Sequence, residues 1–457
     1  SIAAELVKAS QGDEGLSELL PACNAVILDE AHQLPETATL FFGESLSTAQ
    51  LIELSRDVRV AAATVAKDVV ELGDQAGKLE LATRELRMAL PNSVPGMSGR
   101  MSFKQLRERP AFGGCLTGVE MELAPLAALL ESLGERDENL GSCAKRAAEL
   151  LARLRRWRAS GAEGPRDDLV RWAETFAQTL QLHATPLDIA PIFQRQLQGR
   201  PQAWIFTSAT LAVSGDFNHY LGELGLDEAE TACWDSPFDY EQNALLYLPR
   251  LLPDPNSREH TEAVVAAALP AIRASGGRAF LLFTTLRAMR YAHELLQDKL
   301  KQEGLEFPLM VQGESSRSEL LERFRKLGNA VLVASSSFWE GVDVRGEALS
   351  LVVIDKLPFA PPGDPVLEAR LDRMAREGRN AFVEYQLPQT AIALKQGAGR
   401  LIRDETDRGV LMICDPRLTT KSYGRRIIAS LPPMRITRQA EDVVAFFDVR
   451  RDGARTA

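Results

Sequence analysis

From about residue 200 onward, seven short apolar runs constrain the fold of this chain more than any other feature. AWIFTSATL, NALLYLP, RAFLLFTT, PLMVQG, AVLVASSSF, LSLVVIDKLP and GVLMICDPR follow one another with stretches of helical periodicity between them. A strand that is apolar on both faces must be covered on both faces, and strands that alternate with helices pair in parallel. The pattern predicts an α/β fold whose mostly parallel sheet is clothed by helices on two sides. Ligands of such sheets bind beyond the carboxyl ends of the strands. Polar clusters stand at those ends: TSAT, TTLR and SSSFWEGVD, and DEAH after the earlier run Ala25–Leu28.

Between residues 47 and 182 the texture is different. LIELSRDVRVAAATVAKDVVELG and AKRAAELLARLRRWRA repeat apolar residues at three- and four-residue spacing, the signature of amphipathic helices. Pro91, Pro95, Gly96, Gly99 and the string GAEGP divide this region into several helices. At 457 residues the chain exceeds one ordinary core, and about two to four domains are expected. Its 45% hydrophobic and 25% charged residues are those of a soluble globular protein. No apolar run approaches the roughly 20 residues that span a bilayer. The start, SIAAELVKAS, lacks the basic and apolar segments of a signal peptide, and it lacks Met, which points to processing or truncation.

Cys23, Cys115, Cys143, Cys233 and Cys414 form no CxxC pair, so reduced, buried thiols in a cytoplasmic protein are expected. The five histidines show no metal-ligand spacing. A net charge of −10 neither advertises nor excludes nucleic acid, because a phosphate backbone responds to a local groove.

Five clusters carry candidate chemistry. Asp29 and Glu30 follow an apolar strand, which suits a Mg²⁺ ligand and a residue that activates water; an acidic helix N-cap is the competing reading. Ser208 and Thr210 in TSAT either relay between ligands or close a turn. In QGAGRLIR, the spacing places Gln396, Arg400 and Arg403 on one helix face, and two guanidinium forks there suit a polyphosphate. Gly397 and Gly399 each cost a helix about 1 kcal/mol relative to alanine, so their presence suggests close approach of another group. Trp339 in SSSFWEGVD stacks a base or fills a core. Arg153, Arg155 and Arg156 in RLRRWR contact nucleic acid or form a solvated face.

Taken in order, DEAH, TSATL, LLFTTLRAMR, ASSSFWEGVD and QGAGRLIR resemble the later motor motifs of XPD/DinG-type ATP-dependent DNA helicases. LPFAPPGDP and GVLMICDPRLTTKSYGRRI resemble the bacterial DinG/YoaA branch, and the likeness covers essentially residues 20–435. It implies two RecA-like motor domains with ATP between them and a helical arch inserted in the first. The corresponding boundaries are 1–46 for a partial first motor domain, 47–182 for the arch-like insertion, 183–235 for the rest of the first domain and 236–457 for the second.

By the same resemblance Asp29 would hold Mg²⁺ and Glu30 would activate water. His32, Ser208 and Thr210 would couple nucleotide state to closure. Glu340, Gly341 and Asp343 would link the second domain to ATP and DNA. Arg400 and Arg403 would reach the phosphates, Arg403 as arginine finger, with Gln396 and Gly399 in support. Thr284, Trp339, Arg153, Arg155 and Arg156 stand as DNA-binding candidates. Single-stranded or forked DNA and a 5′ to 3′ direction are implied, as is a 4Fe–4S cluster in the full-length protein with no ligands in this chain.

The phosphate-loop pattern, GxxxxGKS or GxxxxGKT, occurs nowhere; GDQAGKL at 73–79 has the wrong spacing. The chain therefore reads as a C-terminal portion of a helicase that hydrolyses ATP poorly alone. The alternative is a non-catalytic DNA-binding or scaffold protein derived from one. The tail ITRQAEDVVAFFDVRRDGARTA either docks a repair or replication protein or forms a closing helix.

Overall fold

The computed structural model describes residues 24–91, 99–159, 169–198, 203–335, 338, 346–361 and 363–453. The chain divides into two units. One gathers the residues up to Thr207 with Leu221–Glu228 and Pro361–Arg379; the other holds Ser208–Tyr220, Ala229–Ala360 and Asn380 onward.

In the first unit, β1 (Ala25–Leu28) lies parallel to a later strand that starts at Ala203, with Ala25 opposite Ala203 and Leu28 opposite Phe206. The apolar run predicts a buried strand, but Ile27 is 64% exposed and Ile205 46%. Ala25, Ile27, Ala203 and Ile205 share one face of this two-stranded sheet and are exposed, while Val26, Leu28, Trp204 and Phe206 on the other face are half-buried.

The region expected to be helical holds four long helices and, in addition, an antiparallel sheet. β2 (Glu44–Ser47) leads into α1 (Thr48–Thr64) through a capping box in which Ser47 and Gln50 satisfy each other's backbone amides. After it come α2 (Val70–Met88), β3 (Arg100–Ser102), α3 (Pro110–Leu133) and α4 (Glu138–Ala159). α1 packs on α2, α2 on α3, α3 on α4, and α4 returns to α1. Leu51, Leu54 and Val58 of α1 meet Leu72, Leu79 and Leu86 of α2, Leu123 and Leu130 of α3, and Leu140, Ala147 and Leu154 of α4 in one core. These are the three- and four-residue spacings of the sequence turned inward.

α3 has the length and composition of a membrane span. Its Leu116, Val119, Leu123, Leu126 and Leu130 nonetheless lie in the bundle core.

β4 (Leu169–Thr175) and β5 (Leu180–Pro186) form a hairpin between β2 and β3, in the order β2-β5-β4-β3. This corrects the purely helical expectation, and β5 runs through residue 182. Burial along β4 and β5 follows no helical spacing, and the Trp172 ring stacks on His183 across the pair at 4.0 Å. The helix Pro365–Arg376 packs on β3 and β4. It is held by Arg100 to Asp364 at 2.7 Å and by Arg370 to Glu223 at 3.1 Å. The first unit ends its sheets with β6 (Ala203–Phe206), the partner of β1.

The second unit is built on β7 (Ala244–Tyr247), β8 (Ala279–Phe283), β9 (Leu309–Val311), β10 (Val331–Ser335), β11 (Leu351–Ile354), β12 (Gly409–Ile413) and β13 (Arg435–Thr437). They run in the order β13-β7-β12-β11-β8-β10-β9, and every neighbouring pair is parallel. Side-chain alternation divides each long strand between two cores. Phe280, Leu282, Val352, Ile354, Leu411 and Ile413 face one. Leu281, Phe283, Leu351, Val353, Val410 and Met412 face the other.

The first face is covered by α5 (Arg317–Leu327), α6 (Leu387–Ala398) and α7 (Gly424–Ser430). The second is covered by the helices His260–Ser275 and Leu286–Gln302 and by α8 (Ala440–Gly453). Phe446 and Phe447 of α8 are buried in that second core, so the tail is a closing helix and its Phe pair is not offered to a partner.

Gly277 joins a helix to β8 with φ +83°, and a Cβ there would stand 2.1 Å from the Asn329 carbonyl oxygen. Only glycine fits this turn.

Candidate nucleotide and DNA site

The parallel register of β1 and β6 brings Asp29 and Thr207 side by side, one residue beyond each strand. Backbone pairing continues past the strands: Thr207 N donates to the Leu28 carbonyl at 2.9 Å and Ala31 N to the Thr207 carbonyl at 2.9 Å. Asp29 Oδ1 accepts the Thr207 hydroxyl at 2.9 Å and the Glu30 amide at 2.9 Å. Two donors on one oxygen fix the plane of the carboxylate.

Glu30 has φ +51° and ψ +38°, a left-handed conformation that costs a residue with a Cβ about 1 kcal/mol or more. It turns the chain so that Glu30, 60% exposed, meets the largely buried His32, with Nδ1 3.2 Å from Oε2. The N-cap reading fails on geometry. The short helix that follows is capped at Glu30 with no side-chain cap bond.

Asp29 fits Mg²⁺ as a single hard-oxygen ligand that leaves the remaining positions to phosphates and water. Among the described residues no three acidic, His or Cys side chains form a metal cage. Thr207 opens the TSAT cluster at the end of the AWIF strand, and the pairing of β1 with that strand is what sets its hydroxyl against Asp29.

In the second unit, Ser208 Oγ stands 3.3 Å from the hydroxyl of buried Thr210 and accepts the Thr210 amide at 3.2 Å. The loop is tied to α6 by Lys395, whose ammonium donates to the Ala212 carbonyl at 3.2 Å and whose pKa is lowered by burial.

α6 stops at Ala398 and Gly399 is its cap, so Gln396, Arg400 and Arg403 do not share one helix face. Two forces end the helix. Leu401 and Ile402 turn inward and are buried, and the Asp407 carboxylate accepts the amides of Arg403 and Asp404, both at 2.9 Å. Gly409 makes room for this turn, since a Cβ there would lie 2.4 Å from Leu401 Cδ1.

Thr284 follows β8, and its amide and hydroxyl donate to the Asp355 carboxylate at 3.0 and 3.3 Å. Asp355 follows β11 and is 2% exposed; burial pushes its pKa up to about 7. Asp415 follows β12, accepts the Leu357 amide at 2.8 Å and pairs with Arg417 at 2.7 Å. Sequence reasoning overlooked both acids. Each stands just past an apolar strand, the signal that singled out Asp29. Ser335, at the end of β10, donates its amide and hydroxyl to Gln312 at 2.8 and 2.9 Å. Trp339, Glu340, Gly341 and Asp343 lie outside the described residues.

The basic run on α4 is engaged with carboxylates. Arg155 meets Glu120 at 3.0 Å, Arg156 meets Glu44 at 3.0 Å, and Arg153 lies 3.8 Å from Glu149. Trp157 is buried, and its indole N–H donates to the His183 carbonyl at 2.9 Å. The three arginines stay partly exposed in these ion pairs, while Trp157 is the member of the run that packs in the core. Cys143 and Cys414 are buried as expected, but Cys115 is half-buried and Cys233 exposed; Cys23 lies outside the described residues. The four described cysteines are free thiols.

Comparison with known proteins gives a consistent picture. The family model of the helicase C-terminal domain matches residues 269–434. The ATP-dependent DNA helicase YoaA of Escherichia coli is 40% identical over 441 residues, covering 96% of this chain and 67% of the relative. YoaA of Haemophilus influenzae is 39% identical over 434 residues, covering 95% and 66%. The chain thus spans about two thirds of the length of these relatives. Among solved structures, S. tokodaii Xpd4 shares the fold with a TM-score of 0.54 at 15% identity, over 90% of this chain and 75% of that one. A structure named XPD_APO does so with a TM-score of 0.52 at 15% identity, over 92% and 79%.

Proposed function

This chain belongs to the YoaA family of ATP-dependent DNA helicases, and from that premise we propose that it carries the metal, water and DNA residues of a motor that moves 5′ to 3′ on single-stranded DNA. The observation that carries the reading is the strand-end constellation of Asp29, Thr207, Glu30 and His32. Asp29, its plane fixed by two donors, would hold the Mg²⁺ of the nucleotide. When bound, that ion neutralises charge on the phosphates. Glu30 takes the proton of the attacking water, and His32 orients Glu30. Arg400 and Arg403 supply cationic forks for the phosphates, Arg403 at the transferred group. Ser208 and Thr210, with Gln396 and Gly399, carry the nucleotide state onward, as do Glu340, Gly341 and Asp343. Thr284 and Trp339 contact DNA.

In this reading residues 1–46 and 183–235 belong to the first motor domain, 47–182 to the arch and 236–457 to the second motor domain. The phosphate loop is supplied by polypeptide outside these 457 residues, since no GxxxxGKS or GxxxxGKT string occurs among them. The open apolar face at Ile27 and Ile205 supports a sheet that is covered there by a further layer of the motor domain.

The test uses the chain extended ahead of Ser1 by a segment carrying a phosphate loop, with duplexes tailed at one end. A 5′ tail is expected to permit ATP-dependent strand separation and a 3′ tail to give none. Separation from the 3′ tail alone would refute the assigned direction, and separation from neither would refute the motor.

A further inference from the structure

Asp355 lies behind Thr284, and the inference drawn from it rests on the reading of Thr284 as a DNA contact. Oδ1 accepts the Thr284 amide at 3.0 Å and the Lys356 amide at 2.8 Å, while Oδ2 faces the Thr284 hydroxyl at 3.3 Å. A hydroxyl has one proton to donate. Given to Oδ2, that proton is not available to a phosphate, and an ionised carboxylate behind Thr284 also repels the phosphate.

We propose that Asp355 is a positioning residue that takes up one proton from solvent when DNA binds. Protonated at Oδ2, it donates to Thr284 Oγ1, and the Thr284 hydroxyl turns its own proton outward to a backbone phosphate. Ionised, it recaptures the hydroxyl. The proton count balances: one enters at Oδ2 on binding and leaves on release, while Thr284 keeps its proton throughout.

The surroundings favour the protonated form. Burial pushes Asp355 up to about 7, and Lys356 offsets only part of this. From the adjoining helix, His260 Nε2 lies 3.0 Å from the Asp355 carbonyl and Nδ1 lies 3.3 Å from the Pro253 carbonyl, so the ring faces the backbone. From β12, the Cys414 thiol is buried and pushed well up, in part by Asp355 and Asp415. The Asp415 charge is bound to Arg417. No cation beyond Lys356 stands against the carboxylate among the interactions that set its pKa.

The sign follows from the raised pKa: the DNA-competent form fills as pH falls through about 7. Binding of fluorescein-labelled oligothymidylate to the full chain, followed by anisotropy at constant ionic strength, should weaken about tenfold from pH 6 to pH 8 for one linked proton. Asp355→Asn keeps a carbonyl for the two amides and an N–H for Thr284 Oγ1, so its affinity should stay at the pH 6 level throughout. Thr284→Val should bind weakly at every pH.

In weakly buffered solution at pH 7.5 the unmodified chain should take up protons on binding, which needs no variant to fold. A pH slope that survives Asp355→Asn, or no proton uptake, would overturn the proposal and leave Thr284 as a contact. Unchanged affinity in Thr284→Val would overturn the contact itself, and the proposal with it.

Discussion

Arg403→Ala in the loop-extended chain is expected to lower DNA-stimulated ATP hydrolysis by about 10³- to 10⁵-fold, the range an arginine finger spans. The loss should fall on turnover while binding of a fluorescent ATP analogue stays within a few-fold, because the guanidinium acts on charge that develops in the transition state. Arg403→Lys should recover little, since an ammonium is a point charge and cannot present a planar fork. The backbone of Arg403 is fixed independently of its side chain, through the amide bond to Asp407 and the burial of Leu401 and Ile402. Truncating the side chain leaves these backbone and core contacts in place. Circular dichroism should show an unchanged fold, and a variant that keeps more than about a tenth of the wild-type rate would remove Arg403 from the catalytic role.

Glu30→Gln should reduce the same activity by about 10²- to 10⁴-fold, the usual worth of a positioned general base. Glutamine is nearly isosteric and accommodates the same turn, so ATP and DNA should both still bind. The left-handed backbone at Glu30 persists at a residue with a full side chain, although glycine would adopt it without strain. That is intelligible if the carboxylate at this position is what the site requires. His32→Ala removes the partner of Glu30 and should have the same direction with a smaller loss. A steady-state assay with coupled phosphate detection separates these outcomes.

Much of this arrangement was legible from residues alone, and the exceptions have physical causes. NALLYLP, RAFLLFTT, PLMVQG, AVLVASSSF, LSLVVIDKLP and GVLMICDPR became β7 to β12 of one parallel sheet, because runs that are apolar on both faces have no other stable use. β13 escaped notice because it is three residues at the sheet edge, where Arg435 and Ile436 stay exposed. The hairpin of β4 and β5 was lost in a region rich in alanine, leucine and arginine. There the strand signal rests on a few local contacts, such as Trp172 with His183 and with the Thr185 hydroxyl.

The candidate site was legible where a strand runs straight into it, as at Asp29 and Thr284. It was misread where tertiary contacts override helical spacing, as at Arg400 and Arg403, because Asp407 lies beyond the motif and its carboxylate captures the backbone. Asp355 carried the same strand-end signal as Asp29. Its burial was visible only once β11 was seen between β12 and β8.

The most direct test of the account is ATP hydrolysis measured with saturating single-stranded DNA for two proteins: the 457-residue chain and the same chain extended ahead of Ser1 by a phosphate-loop segment. The account predicts no DNA-stimulated turnover by the first and turnover of about 1 to 10³ s⁻¹ by the second, the ordinary range of enzymes. Turnover in that range by the unextended chain, or none by the extended one, would contradict it.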